Sequence, residues 1–387
     1  MEAVGAVEIK PNKSGKKVLK IIGIAFLGII CVIILAVLIC FIVHKCLSAS
    51  ERKLLDRAGL VNPVSAGDYN LNAYIYGNDN PKHTIVGISG LGVSDYSVTL
   101  GNVCDSLAEE NKIAIIDRAG YGISDDTIKP QTVDRIVDDY RTVLKNSGLE
   151  APYILMPHSI GGVYATHWQY KYPEEIEAVI YIDPTQIGSL DFLEEEPEAW
   201  DADIWDYLSA LACKAGLHRE YYLFQKLKLW GGVPDDMLDC SKALCMNQPY
   251  SFAMYSEGTL EKENITKVYN ELKPNDIPKL YLSSSFLNEE TVEEDFKAQL
   301  DYINSIYDSF GMDRLEISND PEKVKELSHK LYESSVELNE KSILPYVERL
   351  GNCTLVSLAG DHMLYLQKPD EVLRECEIFL NTLDAGE

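Results

Sequence analysis

Hydrophobic and polar positions divide the chain into three regimes. From Ile21 to Val43 apolar residues run for 23 positions without a charge. At about 1.5 Å per helical residue such a run crosses a hydrocarbon core of roughly 30 Å. Further on, short apolar blocks recur at Thr84–Ile88, Ile113–Ile116, Tyr153–Met156, Ala178–Ile182 and Pro278–Leu282. Continuous apolar runs of this length predict strands buried on both faces. Tyr69 to Tyr76 alternates instead, which predicts an early antiparallel strand. Val133, Ile136, Val137, Tyr140, Val143 and Leu144 recur at spacings of three and four and predict a helix. Strands alternating with such helices predict an α/β fold, a mostly parallel sheet with helices on both faces.

The third regime interrupts this alternation. Residues 185–277 have little strand character but many aromatic and apolar side chains, among them Trp200, Trp205, Tyr221, Tyr222 and Trp230. They read as a helical insertion. Residues 289–350 form a second excursion with helical spacing at Val324, Leu327 and Leu331. The resulting division is a basic tail (1–20), a transmembrane helix (21–43), a juxtamembrane linker (44–66), a first core half (67–184), the insertion (185–277) and a second core half (278–387).

Four segments carry candidate chemistry. Tyr153-Ile-Leu-Met-Pro-His-Ser-Ile-Gly-Gly162 predicts a strand, a sharp turn and a helix, with Ser159 at the turn. A small residue at Gly161 lets the helix start close to the strand. This is the shape of a nucleophile elbow, with Pro157 where the first glycine of Gly-x-Ser-x-Gly usually stands. Ile88-Ser-Gly-Leu-Gly92 follows the first buried strand, Asp117-Arg-Ala-Gly-Tyr-Gly-Ile-Ser124 the next, and Gly360-Asp-His362 closes the chain's last strand. In this order the four segments resemble the α/β-hydrolase family over residues 68–184 and 278–384.

That resemblance implies a serine hydrolase. Ser159 would be the nucleophile, His362 the general base, and the N–H groups of Leu91 and Ile160 the oxyanion donors. Asp117 and Arg118 would brace their loop, and the insertion would be a lid. The acid departs from the commonest pattern, because its usual position falls at Leu287. Two carboxylates remain: Asp183, favoured, at the tip of the strand after the elbow helix, and Glu289 as the alternative. A serine at the elbow argues against dehalogenase chemistry. The resemblance implies carboxylic-ester hydrolysis, with an aminopeptidase-like amide hydrolase, an acyltransferase or a non-catalytic binding protein as alternatives. No cofactor is expected, and the histidines form no metal-binding motif.

Charge adds an anchor and removes some partners. Residues 1–45 hold six lysines and two glutamates, so the rest of the chain carries more than the whole net charge of −26. Such a body repels nucleic acid. Attachment to a bilayer would come from residues 21–43, and the expected partner is a small-molecule or lipid-like acyl substrate. Lys10, Lys13, Lys16, Lys17 and Lys20 precede the apolar run, which favours a cytoplasmic N-terminus and an extracytoplasmic body. The six cysteines from Cys104 onward permit disulfides or free thiols, and Asn264-Ile-Thr and Asn352-Cys-Thr fit the glycosylation sequon.

Overall fold

A computed structural model describes residues 13–187, 204–219, 233, 236–310 and 312–385, with side chains from Lys17 onward and excepting 309–310. Trp200, Tyr221, Tyr222 and Trp230 lie outside the described residues. The core is one eight-stranded sheet of β1 (Pro63–Ser65), β2 (Asn70–Gly77), β3 (Thr84–Ile88), β4 (Lys112–Ile116), β5 (Tyr153–Ser159), β6 (Ile176–Pro184), β7 (Lys279–Ser284) and β8 (Cys353–Leu358). Their order is β1-β2-β4-β3-β5-β6-β7-β8. β1, β2 and β4 pair antiparallel, and every pair from β4 to β8 is parallel.

The apolar runs are explained by two covered faces. Along β3, β4 and β5, Val86, Ile88, Ala114, Ile116 and Leu155 join one cluster, while Ile85, Ile113, Ile115, Ile154 and Met156 join the other. Successive side chains of a strand point to opposite faces, so both sets must be apolar. The first cluster is completed by α4 (Val133–Asn146) and α5 (Gly161–Lys171). The second is completed by α3 (Gly101–Leu107) and, at the chain's end, α14 (Pro369–Asp384). Thr132 caps α4 by accepting from the Arg135 N–H at 3.3 Å. A cap of this kind contributes about 1 kcal/mol.

Residues 204–271 supply α6 (Ile204–Lys214), α7 (Leu238–Asn247), α8 (Phe252–Thr259) and α9 (Glu261–Glu271). The second excursion is α10 (Val292–Phe310), α11 (Pro321–Leu338) and α12 (Leu344–Leu350), with a π turn at Asn339–Ile343.

At the N-terminus α1 is a single helix, Lys13–Arg57, long and apolar enough to cross a membrane. Residues 44–57, the first part of a linker expected to be partly helical, continue it without a break. Its far end is not free. Leu55 and Leu60 pack with Val98, Cys240 and Leu244. Arg219 donates to both oxygens of Glu51 at 2.7 and 2.6 Å and to His44 Nδ1 at 2.8 Å. Among the described residues the cysteines are free thiols. Asn264 is buried; its side chain accepts from the Val133 N–H at 2.7 Å and donates to the Gln131 carbonyl at 3.1 Å.

Candidate active site

The four chemistry-bearing segments converge at the carboxyl edge of the parallel strands, where ligands of open α/β sheets bind. Ser159 ends β5 with φ +54°, and Asp183 lies near the end of β6 with φ +40°. Among the described residues these are two of three non-glycine residues at positive φ. Each costs on the order of 1–3 kcal/mol and persists only where the surroundings enforce it. Two contacts do so here. The Ser159 carbonyl accepts from the Thr185 N–H at 2.9 Å, tying β5 to β6 beyond their last regular pairs. A Cβ on Gly161 would stand 2.5 Å from the Ile88 carbonyl oxygen, so only glycine lets α5 begin this close to β3.

His362 hangs from the loop after β8. Its Nδ1 donates to Asp183 Oδ2 at 2.6 Å, and the other carboxylate oxygen accepts from the Ser284 N–H at 2.7 Å. Burial pulls the His362 imidazole down, but the hydrogen bond and charge of Asp183 outweigh it, and the net shift is upward. With Nδ1 committed, Nε2 is the nitrogen left for proton transfer. Among the described residues no hydrogen bond joins the Ser159 hydroxyl to His362 in this conformation. Such bonds often close only once a substrate is bound. Glu289 is exposed on the loop after β7, and among the described residues no hydrogen bond or ion pair joins it to His362. Of the two carboxylates weighed from sequence, only Asp183 is brought to the histidine.

The loop Ser89–Gly92 lies against the elbow. A Cβ on Gly90 would come within 2.9 Å of His158 Nδ1 and 3.1 Å of Ser159 Cβ. Leu91 is partly exposed at the loop tip, and Ile160 precedes the first turn of α5. Arg118 holds this loop from beneath. Its guanidinium donates to the Ser89 carbonyl at 2.6 Å, the Ser89 hydroxyl at 3.0 Å and the Gly90 carbonyl at 2.9 Å. Arg118 was expected to brace its own loop; its guanidinium instead holds the neighbouring Ser89–Gly90 segment.

Its counter-ion was not legible from sequence. Glu257 of α8 meets Arg118 at 3.0 and 3.3 Å and accepts from the Tyr164 hydroxyl of α5 at 2.6 Å. Arg118 and Glu257 are each 2% exposed. One buried pair thus links the Ser89–Gly92 loop, helix α5 and the insertion.

Two further supports went unread. Buried His158 donates from Nε2 to the His362 carbonyl at 2.9 Å, and burial together with the neighbouring His362 lowers its pKa to about 3. It is a neutral strut under the histidine loop. The Asp361 N–H donates to Gln367 at 2.6 Å, and Gln367 in turn donates to Gln299 of α10 at 2.5 Å. The second excursion therefore braces the loop that carries His362. Among the described residues no cluster of His, Cys, Asp or Glu has the makings of a metal site.

The comparisons agree with this fold. A family model described as serine aminopeptidase, S33, matches residues 79–200. The uncharacterized protein YbdG of Bacillus subtilis is 35% identical over 168 residues, 43% of this chain and 50% of that protein. The chain spans about half the length, or less, of the curated relatives it matches. Among solved structures, ALR0039 of Nostoc sp PCC 7120, provisionally an alpha/beta hydrolase, superposes with TM-score 0.55 at 14% identity, covering 82% of this chain and 97% of that one. A membrane phospholipase A, described as a bacterial virulence factor, superposes with TM-score 0.50 at 15% identity over 93% and 98%. The chain has the α/β-hydrolase fold, and residues 79–200 match a hydrolase family model.

Proposed function

We propose that this protein is a membrane-anchored serine hydrolase that cleaves carboxylic esters of lipid-like acyl groups. Ser159 is the nucleophile, His362 the general base and acid, and Asp183 the carboxylate that orients it. The Asp183–His362 hydrogen bond, formed at the strand edge where Ser159 sits at positive φ, carries this reading.

The chemistry follows from those positions. Ser159 Oγ attacks the ester carbonyl carbon while its proton passes to His362 Nε2. The carbonyl π electrons move onto oxygen, and the N–H groups of Leu91 and Ile160 receive that oxyanion. Removing one such donor costs roughly 3 kcal/mol of transition-state stabilisation. Collapse of the intermediate breaks the C–O bond, and the leaving alkoxide takes the proton from His362. Water then attacks the acyl-enzyme, passes a proton to His362, and releases the carboxylic acid as Ser159 is reprotonated. Asp183 stabilises the imidazolium in both halves.

The lipid-like substrate is supported by the apolar insertion and by the likeness to a membrane phospholipase A. In this reading the helices of residues 185–277 act as the lid, residues 21–43 span the bilayer, and the body lies outside the cytoplasm. A second reading, an aminopeptidase-like amide hydrolase on the same site, is favoured by the serine aminopeptidase family match. An acyltransferase would use the same acyl-enzyme with an alcohol in place of water.

The test is covalent labelling of the purified full chain by a fluorophosphonate probe, beside Ser159→Ala. We expect labelling of the parent and none of the variant. Labelling that survives the substitution would remove Ser159 as nucleophile, and no labelling of either would favour a binding protein that kept the fold.

A further inference from the structure

Helix α6 presents an apolar face to the outside. Ala210 and Cys213 are buried, and Tyr207 lies against Phe252 of α8 with ring centroids 6.0 Å apart. Opposite, Ile204, Trp205, Leu208 and Leu211 are exposed at 64, 69, 45 and 52%. Ile204, Leu208 and Leu211 follow one another at spacings of four and three, and Trp205 flanks them, so the four share one side of the helix.

The position of this helix on the molecule says what covers that side. Immediately after α6 the chain meets α1. A Cβ on Gly216 would stand 2.3 Å from His44 Cβ and 3.0 Å from the Cys40 carbonyl oxygen. The His44 and His218 rings are 5.4 Å apart, and Arg219 grips His44 and Glu51. His44 is the first residue past the uncharged run that ends at Val43. The C-terminal end of α6 is therefore fixed at the level where α1 would leave the hydrocarbon. Leu217, between the two contacts, is itself partly exposed.

We infer that α6 is an interfacial helix that seats the insertion on the bilayer surface, with Ile204, Trp205, Leu208 and Leu211 turned into the headgroup–acyl boundary. A short amphipathic helix with an indole on its apolar side suits that depth. The strongly negative body makes attraction to anionic headgroups an unsuitable cause, so burial of apolar surface drives the contact and a zwitterionic lipid suffices. This rests on the reading that residues 21–43 span a bilayer.

The experiment keeps the two readings apart. The full chain and its Trp205→Phe variant are reconstituted into phosphatidylcholine vesicles with plain or brominated acyl chains. The difference between the two proteins isolates Trp205 emission, and circular dichroism verifies that the variant is folded. Resistance to alkaline carbonate extraction reports the span separately. We expect resistant protein whose Trp205 emission falls at least about twofold with brominated lipid and responds little to aqueous acrylamide. Resistant protein quenched by acrylamide and not by bromine overturns the docking of α6 while the span stands. Resistant protein quenched by neither also overturns it, and points to a second copy of the chain as the cover. Extraction of the protein by carbonate overturns the span and the docking together.

Discussion

Glu257→Ala tests whether the insertion and the catalytic machinery are one mechanical unit. The perturbation leaves the Arg118 guanidinium buried without its counter-ion and the Tyr164 hydroxyl without its acceptor. At the observed 3.0 Å the pair attracts by about 5.5 kcal/mol for an effective dielectric of about 20, set against a comparable cost of desolvation. The net worth of the intact pair is thus small. Breaking it is another matter, because an uncompensated buried charge costs about 3–5 kcal/mol. That corresponds to roughly 5–15 °C in thermal midpoint.

The effect on turnover has a separate origin. Arg118 keeps its bonds to the Ser89 and Gly90 carbonyls only while its head group is held in place. Loosening it misaims the Leu91 amide, for which we expect a fall in kcat of up to about 10²-fold. Glu257→Gln, which keeps the shape and loses the charge, should fall between the parent and alanine on both measures. Urea unfolding of the detergent-solubilised chain and steady-state ester hydrolysis read the two quantities. Alanine within about 1 kcal/mol of the parent, at unchanged kcat, would refute the reasoning.

Asp183→Asn should lower kcat/KM by about 10⁴-fold, while Glu289→Gln leaves it nearly unchanged; the reverse ranking in an ester assay would overturn the choice of acid. Since Asp183 helps raise the His362 pKa and only the neutral imidazole accepts a proton, activity should decline on acidification from above about pH 6.5. Any residual activity of Asp183→Asn should persist to lower pH than the parent's. Asp95, buried beneath α7 with its Oδ2 accepting from the Ser241 hydroxyl at 2.6 Å, has its pKa pushed up by burial to about 6. A folded-state pKa above the unfolded value means that ionisation destabilises, so the penalty is absent below about pH 4 and complete above pH 6. Asp95→Asn should therefore raise the thermal midpoint at pH 8, by the equivalent of about 3 kcal/mol, and leave it nearly unchanged at pH 4; equal shifts at both would show that the carboxylate is not the cause.

What could be read from the chain follows from how local each signal is. The strands announced themselves because both faces are covered, so neither the Val86 nor the Ile85 set could be polar. The sharp turn at Ser159 was legible because a strand, a turn and a helix adjoin within ten residues. The acid stayed open between Asp183 and Glu289 because the choice depends on which strand tip meets a loop 179 residues later. Glu257 and Gln299 were invisible, since each reaches its partner from a helix with no motif of its own, Glu257 lying 139 residues from Arg118. The 44–57 segment was read as a linker because charged residues begin there; its helix persists because Leu55 and Glu51 have the insertion to pack and pair with.

Asn264 is already in use, its side chain joined to Val133 and Gln131 at the start of α4. An oligosaccharide attached to that amide nitrogen has no room in the finished molecule. A host that sugar-coats nascent chains would therefore trap a share of this one before its core could close, whereas Asn352, exposed before β8, tolerates the same decoration more readily. Production in a cell without that machinery, or an Asn264→Asp replacement that retains the acceptor toward Val133, avoids the conflict.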